Sequence, residues 1–153
     1  MTTKEYLSQI KDMRDRIKEK QAQIDNLRSL LTSISVNTEN ERVSSSSDPD
    51  KIGKMISNIL DREAELKVYV DEYLQKEKEI SCQIDSLKNS KCRAILHWRY
   101  VECMTFENIA AIAMNLSFMH TFRLHGQALL EFEKEFGECK PIVEVIFEIH
   151  RLY

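Results

Sequence analysis

Residues 99–129, RYVECMTFENIAAIAMNLSFMHTFRLHGQAL, decide the fold. Thr105 stands where a helix N-cap belongs, and Ile109, Ala110 and Ala113 follow it on one helical face. Asn115 falls where the chain must turn. Ser117 is a second N-cap, after which Thr121, Leu124, Ala128 and Leu129 give the next helix a buried face. Two short helices joined by a three- or four-residue turn form the helix-turn-helix pattern. The second helix of such a unit is shaped to lie in a DNA major groove.

Upstream of this stretch the chain reads as a helical hairpin over residues 1–88. Residues 3–34 place Tyr6, Ile10, Met13, Ile17, Ile24, Leu27, Leu31 and Ile34 at spacings of three, four and seven, a heptad seam interrupted by Lys20. Residues 35–50, SVNTENERVSSSSDPD, lose that period and read as a Ser-rich loop. Asp48-Pro49 then looks like an N-cap with proline at the first helical position. A second seam runs through Ile52, Ile59, Leu66, Tyr73, Ile80 and Leu87, with Ile56, Val70 and Ile84 in the partner row and Glu63 and Glu77 between them.

Two seams joined by one loop predict an antiparallel hairpin that either closes on itself or recruits a second copy. The second reading makes Ile52, Ile56, Ile59, Leu66, Val70, Tyr73 and Ile80 a candidate oligomer interface and the protein a homodimer. Glu63 and Glu77 would set register or meet a partner's cation, with Lys20 a candidate inside the chain, or equally mark the solvated edge of an imperfect coiled coil.

The helix-turn-helix domain is expected over residues 89–136, opening at Asn89-Ser90. Ile95, Leu96, Trp98 and Val101 are its first core candidates, since a lone Trp among aliphatic neighbours reads as core. Gly137 reads as a helix stop and Pro141 as a restart, so residues 137–153 are expected to form an apolar C-terminal helix. The predicted fold class is therefore all-α.

Composition narrows the function classes. Charged residues make up 31% of the chain, glycine and proline number 3 and 2, and net charge is −3, which excludes a bulk polycation. The polar, helical start MTTKEYLSQIKDMRD carries no signal-peptide pattern, and the expected location is the cytoplasm. No apolar run reaches transmembrane length. Cys82, Cys92, Cys103 and Cys139 show no close ligand pairing, and reduced thiols with no metal and no cofactor are expected. No nucleophile–base pair or Gly-rich phosphate loop is present, so a binding protein is expected rather than an enzyme.

The opening KEYLSQIKDMRDRIKEKQAQIDNLRSLLTSIS with its Ser-rich loop, together with residues 99–129, resembles a family of small phage and prophage proteins. These join a helical hairpin to a domain similar to region four of bacterial sigma factors, and are related to ArpU-like late transcriptional regulators. The resemblance covers roughly residues 2–132. It implies that Arg99-Tyr100 closes the domain's first helix and that Thr105-Phe106 opens the helix supporting the reader. It further implies double-stranded DNA contacts by Ser117, Phe118, His120, Thr121 and Gln127, with Arg123 and His125 on bases or phosphates, in a bacterial host cell.

Three features of the residues pull the other way. Met119 and Gln127 stand where basic residues are common. Residues 89–136 balance five Lys or Arg against five Glu. Phe118 and Phe122, four apart, read as core or as an interface. These favour a second reading, a phage inhibitor that docks on host RNA polymerase or on a host defence nuclease. Arg123 reads equally as a DNA contact or as a partner of Glu102 or Glu131.

Overall fold

The computed structural model describes residues 1–40 and 49–137, all of it helix, turn and cap, with no strand among the described residues. Two long helices come first, α1 (Thr3–Asn40) and α2 (Pro49–Asp85). Three shorter ones follow: α3 (Ser90–Leu96), α4 (Phe106–Asn108) and α5 (Phe118–Phe136). Both α3 and α4 run on into wide turns, His97–Val101 and Ile109–Ala113. The chain divides into two compact units, residues 12–76 and residues 1–11 with 77 onward.

The helix read as ending at residue 34 continues to Asn40. Residues 35–40, SVNTEN, contain neither glycine nor proline, so nothing in them stops a helix already propagating. Of the segment read as a Ser-rich loop, residues 41–48 lie outside the described residues, as do the C-terminal apolar segment from residue 138 and Cys139. At Pro49 the chain is helical again, with proline in the first turn, where its missing N–H costs nothing.

In the unit of residues 12–76, α1 and α2 run antiparallel, because side-chain pairs that ascend one helix descend the other. Arg14 donates to the Tyr73 hydroxyl at 3.0 Å, Lys20 lies 4.0 Å from Glu65, and Arg62 donates to Gln23 at 3.2 Å. The seam closes on itself. Ile24, Ile59 and Leu66 are buried together, flanked by Ile17, Leu27, Leu31, Met55 and Val70. Each buried aliphatic side chain contributes about 1.5–3 kcal/mol.

This arrangement corrects the candidate oligomer interface. Ile59, Leu66 and Val70 already pack inside the chain. Ile80 is fully buried in the other unit, and Ile52 and Tyr73 are half-buried. Ile56 alone of the seven is exposed. Glu63 finds its cation in the same chain, but on Arg28 at 2.5 Å rather than Lys20.

The second unit gathers Leu7 and Ile10 from the start of α1, Ile80, Ile84 and Leu87 from the end of α2 and its exit, and the three short helices around one core. Local chemistry sets each boundary. Arg93 donates to the Leu87 carbonyl at 2.6 Å, close behind the end of α2. Asn89 caps α3 by accepting from the Lys91 N–H at 3.0 Å, while its own N–H reaches Glu131 on α5 at 3.1 Å. Across the core, Tyr6 meets Phe132 with ring centroids 6.3 Å apart. Its hydroxyl lies 2.9 Å from the Gln83 side-chain oxygen. Trp98, expected in the core, is 36% exposed, with His97 edge-on to it.

Candidate functional site

The helix-turn-helix forms where the caps place it. The Thr105 hydroxyl accepts from the Asn108 N–H at 3.4 Å, and the Ser117 hydroxyl from the His120 N–H at 3.3 Å. Both capping residues hold the extended backbone that a cap requires. Between the helices Asn115 adopts φ 49°, the left-handed conformation that asparagine tolerates better than most residues. The Leu116 N–H reaches back to the Ala110 carbonyl at 2.9 Å and closes the turn.

Cys103 repeats the device one helix earlier. It sits at φ 57°, and the Met104 N–H bonds the Trp98 carbonyl at 2.9 Å. A cysteine gives no sequence signal for a left-handed position, so the identical ending of the preceding helix was not foreseeable.

The structure sorts the sequence-expected contacts into two groups. Ser117, Phe118, His120, Arg123 and Gln127 are exposed. Thr121 and His125 are not: Thr121 is fully buried and His125 is 7% exposed. Their place on a reading face is corrected. They fall on the same stripe as Leu124, Ala128 and Phe132, the face α5 turns to the core. Thr121 satisfies its hydroxyl by donating to the Ser117 carbonyl at 3.1 Å.

His125 is the centre of a buried aromatic group. Its Nε2 lies 3.0 Å from the Tyr100 hydroxyl, and the two rings stack with centroids 5.7 Å apart. Phe106 meets the imidazole edge-on at 4.9 Å. Burial, reinforced by Arg99 and Lys4, lowers the His125 pKa to about 4, so the ring is neutral at pH 7. Burial likewise raises Tyr100 to about 12, against the pull of Arg99. The four-residue step from Thr121 to His125 is the sequence signal for this burial, whereas the histidine's chemistry alone points to a groove.

At 100° per residue, the exposed part of α5 has two flanks. His120, Arg123 and Gln127 share one. Phe118 and Phe122 share the other, stacked at 6.5 Å and both edge-on to Phe106. Met119 and Leu130 lie between the flanks, 61% and 68% exposed. Arg123 forms no ion pair among the described residues; Glu131, one of its expected partners, is turned to the Asn89 N–H and toward Cys92, which it helps raise to about 11 after burial.

Among the described residues no group of His, Cys, Asp and Glu is arranged to hold a metal ion, and no helix is long and apolar enough to cross a membrane.

Residues 30–133 match the model of the family described as Protein of unknown function (DUF1492), and the chain belongs to that family. No curated protein and no solved structure matches the chain.

Proposed function

We propose that this member of the family is a phage-encoded, duplex-binding regulator of transcription that reads DNA with α5, in the manner of sigma region four and ArpU-like regulators. The observation that carries the reading is the exposed polar flank of α5. His120, Arg123 and Gln127 stand three and four residues apart beside a capped helix N-terminus, and Arg123 is left without a carboxylate partner among the described residues. Arginine and glutamine with that freedom match purine edges in the major groove, and the helix N-terminus favours phosphate. With one arginine on the flank, a single protomer gains little from counterion release, and pairing of two copies on two half-sites would restore affinity.

A second reading rests on its own observation. Ile112, Phe118, Met119, Phe122 and Leu130 are exposed large apolar residues on the same domain, and surfaces of that kind dock proteins. On this reading the fold is an adaptor or inhibitor of host RNA polymerase or of a host defence nuclease.

A salt-titrated gel shift on phage late-promoter DNA separates the two. Under the first reading affinity falls with salt, and Arg123→Ala weakens binding by roughly 1–3 kcal/mol. Absence of any shift at low salt, from protein shown by circular dichroism to be folded, abandons it for the second.

A further inference from the structure

A cavity of about 270 Å³ opens on the apolar flank of α5, on the other side of the helix from His120, Arg123 and Gln127. That volume lies just below the ~300–1,000 Å³ usual for ligand pockets and suits a compound of one or two rings.

Its lining is divided by chemistry. Lys4 and Arg99 supply two cations, and among the described residues no carboxylate lines the cavity. Glu107, outside the lining, is held below its usual pKa by hydrogen bonds from its own backbone and Thr105 and then by Arg99, and it offsets part of that charge. The Arg99 guanidinium is held in place. One nitrogen donates to the Met104 carbonyl at 2.7 Å, and its Cζ lies 4.6 Å from the Phe106 ring centroid. A guanidinium has five N–H donors, so others remain to grip an anion as a fork. Phe106, Phe122 and Leu129 make an apolar wall.

Gly126 also lines the cavity. A glycine inside a helix weakens it relative to alanine, and close packing is the usual reason to keep one. Packing does not require this one, because a Cβ built at Gly126 meets nothing within 4 Å. Its effect is to leave the cavity open.

We propose that this cavity is a binding site for a small aromatic carboxylate, whose carboxylate meets Arg99 and Lys4 and whose ring lies against Phe106, Phe122 and Leu129. The site is separate from the polar flank and does not depend on DNA being read there.

The test is an NMR titration of the full chain with phenylacetate, beside phenylacetamide and inorganic phosphate. Phenylacetate is expected to give saturable shifts at Tyr100, Phe106 and His125 in the millimolar range or tighter. The amide, which lacks the charge, should bind about tenfold more weakly. Gly126→Leu fills the space and should abolish saturation while the melting temperature holds or rises. Lys4→Ala, at an exposed position, should weaken binding about fivefold without touching the fold. The proposal is overturned by amide binding equal to acid, by phosphate binding as well as phenylacetate, by Gly126→Leu or Lys4→Ala leaving affinity unchanged, or by no saturable shift with phenylacetate.

Discussion

The hairpin unit and the helix-turn-helix unit bury their residues by different rules. Among the described residues of 12–76, Ile24, Ile59 and Leu66 are buried along a narrow line, and the polar pairs beside them are largely exposed. The other unit has a broad core into which polar groups are drawn: Thr121 bonded to the backbone, and His125 on Tyr100. A narrow seam is specified by repetition alone. A broad core needs particular partners for particular polar atoms, because an unpaired one costs about 1–3 kcal/mol. The lesson is that the first unit tolerates exchange along its surface, whereas the second depends on a few buried contacts.

The largest expected effect is in the broad core. Ile109→Ala removes a fully buried side chain and should cost about 2–5 kcal/mol, read by amide hydrogen exchange so that each unit is followed separately. A cost below about 1 kcal/mol would mean that the core is looser than its burial shows.

Next comes pH. The folded state holds His125 neutral with a pKa of about 4, while the unfolded histidine titrates near its usual 6.5. Between those values the unfolded chain binds more protons, so stability is intact above about pH 6.5 and falls as pH drops toward 4. The loss should approach about 2–3 kcal/mol. His125→Gln should flatten the slope in that window, and an unaltered slope would remove His125 as its cause.

A smaller effect belongs to the cap between the two helices of the motif. Ser117→Ala should cost about 1 kcal/mol and fray the start of α5, seen as faster exchange at the His120 amide. The smallest belongs to the hairpin surface. Glu63→Gln breaks the pair with Arg28, which is more than half exposed, and should cost about 0.2–1 kcal/mol, less in high salt. A loss above about 2 kcal/mol there would break the comparison, since the hairpin would then also depend on a specific polar contact.

The same contrast explains what could be read from sequence. Caps act over three residues, so Thr105, Asn115 and Ser117 announced the helix-turn-helix directly. Heptad spacing announced the hairpin, and Glu63 in its seam offered an ion pair as one reading beside a solvated edge. The pairing itself, with Arg28 rather than Lys20, depends on the offset between two helices, which spacing within one helix does not contain. His125 was misplaced because its helical position and its chemistry gave opposite signals, and position prevailed once Tyr100 and Phe106 stood beside it. Arg99 reads as a helix end in sequence; its seat over Phe106 exists only after the turn at Cys103 brings the two together.

The contact of Tyr6 with Phe132 has a consequence for synthesis. Helical proteins usually close their contacts locally and fold fast. Here Tyr6 packs on Phe132, a side chain made more than a hundred residues later. Leu7 and Ile10, buried in the finished unit, lack their full cover until α5 has been made, so this core is assembled as a whole rather than helix by helix.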